Sequence, residues 1–238
     1  MDKQVKSKQR VADHGEVFTA EREVNAMLDL VKQETERIDS RFLEPACGTG
    51  NFLVEILRRK LSVVRRKYIK NPYDYEKNTV LAISSIYGVD ILLDNVMACR
   101  ERLFEIWDKE YRVVCKKDCS DETREAVRFI LSRNIVCGNA LTLHCVDENG
   151  NDTEEPIVFS EWAFITGAQI QRKDYTFDEL LNGKSTEFKP TSRDGQVSFG
   201  GFTDNQYSFD DIDDNPPNPE GTFLRQYISH YRRVQENG

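Results

Sequence analysis

The stretch that decides the fold is residues 42–52, Phe42-Leu43-Glu44-Pro45-Ala46-Cys47-Gly48-Thr49-Gly50-Asn51-Phe52. It predicts a short buried strand, a Gly-x-Gly turn and the start of a helix. Gly48 and Gly50 allow the backbone to bend sharply and to approach a ligand closely, and the helix that follows offers unpaired N–H groups. In an α/β sheet, a nucleotide-like cofactor binds at such a turn.

The bulk composition indicates one domain with polar appendages. The chain has 238 residues, of which 39% are hydrophobic, and its mean hydropathy is -0.61. A chain of this size can bury one sizeable core. We expect an N-terminal arm at residues 1–13, a main domain at residues 14–182, and a polar, loop-rich tail at residues 183–238. A possible C-terminal helix in the tail is suggested by the helical spacing of Phe223, Leu224, Tyr227, Ile228 and Tyr231.

The sequence favours a cytoplasmic location with reduced cysteines. It has no apolar run of membrane-spanning length, and its polar, Lys-rich start at residues 1–6 lacks the hydrophobic stretch of a signal peptide. In the cytoplasm, the six cysteines are expected to be free thiols. No structural metal is expected. The candidate ligands are Cys115, Cys119, Cys137, His144 and Cys145, and their spacing matches no common zinc pattern.

The charge balance argues against strong DNA binding by this chain alone. Its 33 basic and 41 acidic side chains give a formal net charge of -8, which repels a phosphate backbone at long range. Any contact with DNA must therefore be local or supplied by a partner. The best basic cluster, at residues 58–60 and 65–67 with Lys70, is expected to be a solvated helix face.

Strands and helices alternate in the first two thirds of the chain. Apolar runs predict strands at residues 42–43, before Asp90, at residues 134–137 and at residues 156–159, the fourth. Helices are predicted at residues 19–38 with Thr19 as the cap, at residues 53–68, after Asp90 and at residues 121–132, whereas residues 72–79 are expected to be a connection. This order is typical of a parallel sheet with helical crossovers, so we predict an α/β fold.

Four segments in this order resemble the adenine-N6 DNA methyltransferases, particularly the modification subunits of restriction systems. They are Gly15–Val24, the glycine turn at residues 44–52, Tyr87-Gly88-Val89-Asp90-Ile91 and Gly138-Asn139-Ala140-Leu141. The resemblance covers about residues 14–160. It implies a Rossmann-like S-adenosylmethionine-dependent methyltransferase sheet with helical crossovers, truncated or incomplete after the fourth strand.

The resemblance also implies S-adenosylmethionine as the cofactor. Phe18 and Thr19 would contact its methionine end, and Glu44 would accept a hydrogen bond from its ammonium group. The other cofactor-binding positions carried over are Ala46, Gly48, Gly50, Asn51, Phe52, Asp90, Ile91, Asn139 and Ala140.

Some of these positions also have a purely structural interpretation. Asp90, at the end of the second strand, is placed to accept hydrogen bonds from both ribose hydroxyls, with Ile91 on the adenine face, but it could also cap the next helix. Asn139 would read the adenine amino group, or it could hydrogen-bond its own turn. Phe18 could be a hydrophobic anchor at a helix start.

The catalytic turn of the family lacks a clear counterpart. Family members hold a flipped adenine with an Asn-Pro-Pro-Tyr or Asn-Pro-Pro-Phe turn, which should end the fourth strand. Here that strand ends in Ser160, Glu161 and Trp162. The chain's one Asn-Pro-Pro run, at Asn215, Pro216 and Pro217, follows an acidic leader and lacks the aromatic residue. Both triplets are therefore candidate catalytic positions.

The function expected from the resemblance is transfer of a methyl group from S-adenosylmethionine to N6 of a flipped adenine in DNA, within a restriction-modification system. DNA recognition would come from a separate specificity subunit, because no recognition domain fits after Leu143. One alternative is a catalytically degenerate cofactor-binding subunit or regulator. Another is a methyltransferase for a small molecule or protein, using Glu161 and Trp162.

Overall fold

The computed structural model describes residues 7–14, 16–182 and 223–237. The helices are α1 (Lys8–His14), α2 (Glu21–Leu30), α3 (Lys32–Thr35), α4 (Asn51–Tyr68), α5 (Pro72–Ser84), α6 (Leu93–Cys115), α7 (Asp121–Asn134) and α8 (Phe177–Asn182). The strands are β1 (Phe42–Glu44), β2 (Ile86–Asp90), β3 (Ile135–Cys137), β4 (His144–Val146), β5 (Asp152–Pro156), β6 (Val158–Phe164), β7 (Gln169–Thr176) and β8 (Arg225–His230). In the described part of the chain, no helix is long and apolar enough to cross a membrane.

The centre of the fold is a parallel sheet with strand order β1-β2-β3. Phe42 pairs with Ile86, and Gly88 pairs with Ile135. The middle strand is buried from Ile86 to Val89, as expected for a parallel strand covered on both faces. The predicted α/β class and the predicted strands before Asp90 and at residues 134–137 are confirmed. Because the strands are parallel, their carboxyl ends meet at one edge of the sheet.

Two clusters of buried side chains hold the sheet. The larger one joins α4, α5, α6 and α7 through side chains such as Leu57, Ile83 and Trp107. The smaller one packs Tyr87 and Val89 of β2 against Phe159 of β6. Together they fix the parallel strands from both sides, so the turns at their carboxyl ends stand on a rigid base.

The predicted fourth strand exists but does not belong to the parallel sheet. Val158–Phe164 pairs antiparallel with β7, in a second sheet of order β6-β7-β8. The prediction of a fourth parallel strand at residues 156–159 is therefore wrong. A parallel connection needs a crossover of a dozen or more residues, usually a helix. Between β3 and β6 the chain forms the β4–β5 hairpin instead, and the short turn after β6 leads directly into an antiparallel partner.

The predicted C-terminal helix is also wrong. Arg225–His230 is a strand that pairs with β7, and Tyr231 begins a short 3-10 segment, Tyr231–Asn237. The open edge of β7 supplies the backbone partners, and aromatic and β-branched side chains are favoured in strands. Buried Glu76 then anchors the segment, because it accepts hydrogen bonds from the Tyr231 hydroxyl at 2.5 Å, from Arg232 Nε at 2.7 Å and from the Tyr111 hydroxyl.

Two helix predictions need correction. Residues 72–79, predicted as a connection, belong to α5, whose start is capped by Asn71 Oδ1 accepting from the amides of Tyr73 and Asp74. Asn before Pro72 is a recognised start signal, since proline suits the first helical turn. The predicted helix at residues 19–38 is split into α2 and α3, and its cap position is Ala20 rather than Thr19.

Lys60 does not lie on the solvated helix face that the sequence predicts for its basic cluster. Its side chain is fully buried, and Nζ donates to the Ser85 hydroxyl at 2.6 Å, to Ile38 O at 3.1 Å and to Ser40 O. Burial lowers the pKa of Lys60 to about 7, because a desolvated ammonium group is disfavoured. The lysine therefore ties the segment before β1 to the end of α5.

Candidate cofactor site

The turn between β1 and α4 requires glycine at two positions. Gly48 has φ +52° and Gly50 has φ +87°, in the left-handed region that glycine adopts without strain. A Cβ on Gly50 would lie 2.6 Å from Cys99 Sγ, and one on Gly48 would lie 3.2 Å from the Phe18 ring. The backbone conformation therefore disfavours other residues at both positions, and at Gly50 a Cβ would in addition clash with Cys99.

Asp90, at the end of β2, is oriented by three hydrogen bonds. Its Oδ2 accepts from the Gly48 amide at 2.8 Å, and its Oδ1 accepts from the Leu92 amide at 2.9 Å and from Asn95 Nδ2 at 3.2 Å. The carboxylate thus joins the glycine turn to the start of α6. The bond to the Leu92 amide agrees with the structural interpretation of Asp90. Contact between Asp90 and a cofactor stays a prediction.

Two backbone hydrogen bonds bring the third turn and the glycine turn onto β2. The Cys47 amide donates to Val89 O at 2.8 Å, and the Gly138 amide donates to Asp90 O at 3.0 Å. The segments after β1, β2 and β3 are therefore held together at one edge of the sheet, which is the arrangement that the sequence predicts.

The N-terminal segment closes one side of this site. The Phe18 ring lies against Gly48, and Thr19 O accepts a hydrogen bond of 3.0 Å from Asn51 Nδ2. The structure therefore places Phe18 and Thr19 beside the glycine turn. Contact between these residues and a ligand stays a prediction.

Sequence reasoning missed a network behind Asp90. Glu16 accepts from Arg10 Nε at 2.6 Å and from Asn95 Nδ2 at 2.7 Å, and the same Asn95 nitrogen reaches Asp90. Arg10 also pairs with Asp94 at 2.8 Å, and its hydrogen bonds to Glu16 and Asp94 raise its pKa. Helix α1, part of the predicted N-terminal arm, is thereby docked near the end of β2. The sequence offered one signal for this network, which is that Glu16 lies just ahead of Phe18 in the first of the four segments.

Arg102 was also missed. Its Nη1 donates to Thr49 O at 2.6 Å, to Thr49 Oγ1 at 3.0 Å and to Asn51 Oδ1 at 3.0 Å. Because Arg102 lies on α6, this fork of hydrogen bonds braces the glycine turn against a second helix. The separation of 51 to 53 residues between the partners left no local signal in the sequence.

Three other side chains around the glycine turn are partly or fully shielded from solvent. Burial raises the pKa of Glu44, and the backbone amide of Ala46 partly offsets that effect. Phe52 is half-buried and packs against the main core. The Cys47 pKa is raised, first by its hydrogen bond with Cys99 and then by burial, so this cysteine stays a neutral thiol.

The turn after β3 agrees with the structural interpretation of Asn139, in which its side chain hydrogen-bonds its own turn. Its Oδ1 accepts from the Leu141 amide at 3.0 Å, and its Nδ2 donates to Asp152 Oδ1 at 3.1 Å. Ala140 packs against the smaller core cluster, and Ile91 is exposed. The predicted contacts of these three residues with a cofactor stay predictions.

The candidate catalytic triplet at residues 160–162 lies inside β6 rather than at a strand end, so the predicted strand end is wrong. Buried Ser160 donates to Asp174 at 2.6 Å, Glu161 pairs with Arg41 at 2.7 Å, and Trp162 Nε1 donates to Asn134 Oδ1 at 2.9 Å. Ser160 therefore ties β6 to β7, whereas Glu161 and Trp162 tie β6 to the segment before β1 and to the end of α7. The other triplet, Asn215, Pro216 and Pro217, lies outside the described residues.

Comparison with known proteins identifies the family. The model of the MmeI DNA-methyltransferase domain matches residues 17–177. DNA methyltransferase A from Bacillus subtilis (strain 168) is 26% identical over 164 residues, which is 62% of this chain and 18% of that protein. The chain thus spans less than a fifth of that relative's length, and no solved structure matches it. Since the family model covers more than half of the sequence, the chain belongs to the family of the MmeI DNA-methyltransferase domain.

Proposed function

We propose that this chain is the cofactor-binding part of a DNA adenine-N6 methyltransferase of the restriction-modification type. The proposal depends on one observation: the Gly48 amide and the Asp90 carboxylate are joined at 2.8 Å at the carboxyl end of the parallel sheet. The family supports a DNA methyltransferase. A DNA-modifying enzyme acts where the DNA is, so we assign the proposed activity to the cytoplasm.

The donor set of the site fits S-adenosylmethionine. Asp90 presents an oriented carboxylate suited to ribose hydroxyls, and Oδ2 retains acceptor capacity beyond its bond to Gly48. The glycine turn lets backbone approach the cofactor without a Cβ, and Glu44 lies at the end of β1, near where the ammonium group is expected. When bound, the cofactor supplies the electrophilic sulfonium methyl group. The residues of the chain would hold and orient it, and positioning is the main requirement of such a displacement.

The adenine side of the proposed site is not accounted for by the described residues. N6 of adenine is a weak nucleophile, so a flipped base must be held by polar groups and a stacking ring. Ser160, Glu161 and Trp162 are committed to contacts within the second sheet and with its supports. The sequence of this chain offers one other candidate for holding the base, which is the run Asn215, Pro216 and Pro217.

DNA recognition in this proposal belongs to a partner. With a net charge of -8, the chain gains nothing from long-range attraction to phosphates. A separate specificity subunit would bring the target sequence to the cofactor site.

A second candidate function is cofactor binding without catalysis, in a regulatory or assembly subunit. The structural engagement of residues 160–162 favours it, because these side chains do not line the edge where Gly48 and Asp90 meet. The two candidates share the cofactor site and differ in whether methyl groups are transferred.

Two measurements separate these candidates. Calorimetric titration of the chain with S-adenosylmethionine should show binding that Asp90→Ala weakens strongly, and equal binding by both proteins would refute the pocket. Transfer of radiolabelled methyl groups to adenine-containing DNA, with the chain alone and with its specificity partner, then distinguishes enzyme from binder. Loss of transfer in Asn215→Ala, with binding intact, would assign the catalytic turn to residues 215–217.

A further inference from the structure

Residues 16–20, which form neither helix nor strand, lie along the carboxyl edge of the parallel sheet as a strap. At one end of the strap, Glu16 accepts a hydrogen bond of 2.7 Å from Asn95 Nδ2, in the first turn of α6. At the other end, Thr19 O accepts a hydrogen bond of 3.0 Å from Nδ2 of Asn51, the first residue of α4. The strap therefore runs between the starts of the two helices that follow β1 and β2.

The side chains of the strap alternate between the sheet and solvent. Glu16 and Phe18 are partly buried, and the Phe18 ring lies against Gly48. Val17, between them, is 61% exposed. Alternate residues of an extended segment point to opposite sides, so the strap has an inner and an outer side. Its inner side shields the glycine turn from solvent.

The two ends of the strap are attached in different ways. Its C-terminal end leads into α2, whose Val24 and Leu28 are buried in the main core. Its N-terminal end follows α1, and no described residue of α1 belongs to either core cluster. A helix of seven residues is too short to be stable alone in water. The N-terminal attachment therefore depends on polar contacts, and regions of this kind open locally at low free-energy cost.

Arg10 of α1 supplies such contacts. Its guanidinium forms one fork of hydrogen bonds with Glu16, at 2.6 and 2.9 Å, and a second fork with Asp94 of α6, at 2.8 and 3.1 Å. A planar guanidinium can hold two carboxylates in this way, whereas an ammonium group cannot form the forks. Without Arg10, the strap would lose this attachment to α6, and the two carboxylates would repel each other.

We propose that Arg10 is a positioning residue that latches the strap over the cofactor site and so sets the rate at which S-adenosylmethionine enters and leaves. While the forks to Glu16 and Asp94 are intact, the strap stays against the glycine turn. When they break, α1 leaves α6 and the strap swings out about its attachment to α2, which opens the edge of the sheet. The inference rests on the proposed function, since it assigns a gate to the same site.

The position of the latch makes it sensitive to salt. The side chain of Arg10 is 26% exposed, and that of Asp94 is 55% exposed. Dissolved ions screen an ion pair of this kind, because the Debye length falls from about 10 Å at 0.1 M salt to about 3 Å at 1 M. Opening of the latch should therefore become easier as the salt concentration rises.

The test measures how fast bound cofactor leaves the full-length chain. The chain is loaded with radiolabelled S-adenosylmethionine, mixed with excess unlabelled cofactor and sampled by rapid filtration. Arg10→Met should raise the dissociation rate constant at least tenfold, because charge-assisted forks are strong hydrogen bonds. Arg10→Lys keeps the charge and loses the forks, so it should give an intermediate rate. The association rate constant should rise as well, so the dissociation constant should change less than either rate.

Arg128→Met is the matched control. Arg128 also forms a fork with a carboxylate of α6, Glu101, at 2.9 and 3.5 Å. It joins α7 rather than the strap to α6. Its loss should therefore leave the rate of cofactor dissociation unchanged.

Two measurements on wild type separate a latch from a purely structural tie, and they apply even if Arg10→Met fails to fold. Raising the salt concentration from about 0.1 to about 1 M should speed cofactor dissociation several-fold, and this dependence should be much weaker in Arg10→Met. Trypsin cleavage after Arg10 should slow when S-adenosylmethionine is bound, because a closed strap keeps α1 docked.

Four results would overturn the inference. They are equal dissociation rates for wild type and Arg10→Met, an equal rise in Arg128→Met, trypsin cleavage that the cofactor does not slow, and a dissociation constant that rises as much as the dissociation rate, which would indicate lost contacts rather than a gate. In each case the proposed function stands, because the cofactor binds. If wild type does not bind S-adenosylmethionine at all, both proposals fail.

Discussion

The backbone amide of Gly48 donates a 2.8 Å hydrogen bond to Oδ2 of Asp90, joining the turn after β1 to the end of β2. The two residues are 42 positions apart in the chain. Because Asn95 and the Leu92 amide hold the other oxygen, the carboxylate has one orientation set by the protein. A ligand at this edge would meet a preorganised acceptor, which lowers the entropic cost of binding.

Asp90→Asn should weaken S-adenosylmethionine binding at least tenfold in calorimetry. A hydrogen bond to a charged group contributes about 1.5–3 kcal/mol, and an amide cannot accept on both sides as the carboxylate does. Asp118→Asn, at an exposed position away from the site, should bind like wild type. An unchanged dissociation constant for Asp90→Asn would argue against a ribose-binding role.

Gly50→Ala should destabilise the fold more than Gly150→Ala. Both glycines have positive φ, +87° and +80°, so alanine costs roughly 1–2 kcal/mol at either position. Only at Gly50 does the new Cβ meet another atom, Cys99 Sγ at 2.6 Å, whereas Gly150 has nothing within 4 Å. Overpacking adds about 1–3 kcal/mol. Urea unfolding measures the difference, and equal losses would mean that the contact with Cys99 relaxes freely.

Arg102→Met should loosen the glycine turn without unfolding the protein. The change removes the hydrogen bonds to Thr49 and Asn51 and keeps an unbranched apolar side chain at this position of α6. We expect the dissociation constant for S-adenosylmethionine to rise several-fold, while the midpoint of thermal unfolding moves by only a few degrees. Arg66→Met, on an exposed position of α4, is the control. If both variants bind equally well, Arg102 does not position the turn.

Lys60 should make stability depend on pH. Its pKa is lowered to about 7 in the folded protein, below the value of about 10.4 for an unfolded lysine. Between these values the unfolded chain binds more protons, so the free energy of unfolding should rise with pH, by at most about 1.4 kcal/mol per pH unit. The difference between wild type and Lys60→Met, from urea unfolding at pH 6 to 9, isolates this effect. A difference that is flat with pH would show that Lys60 stays charged.

Tyr231→Phe should weaken the attachment of the C-terminal segment. It removes one hydrogen bond to the buried Glu76 carboxylate and leaves those from Tyr111 and Arg232. A loss of about 1.5–3 kcal/mol in the free energy of unfolding is expected for a bond to a charged group. Tyr73→Phe, at an exposed ring beside it, should change stability by less than 0.5 kcal/mol, about the usual range for the surface. Equal effects would contradict anchoring by Glu76.

Much of the site was predictable because its geometry follows from local rules. Two glycines one residue apart between a strand and a helix predict a tight turn, since few other residues accept positive φ. An apolar strand that ends on Asp90 predicts a carboxylate at the carboxyl edge of a parallel sheet. The strand, turn and helix around residues 42–52 and the strand before Asp90 are therefore present where the sequence indicates them.

Tertiary structure decided the rest, because the partners are far apart in the chain. Arg102 reaches Thr49 across 53 residues, and Arg10 reaches Asp94 across 84, and no spacing rule encodes such pairs. The apolar run at residues 156–159 predicts a strand, but which sheet the observed strand Val158–Phe164 joins depends on connections and open edges. For the same reason, only the assembled sheet shows that β1 keeps an outer edge free of described strands, because backbone pairing is a property of neighbours in space.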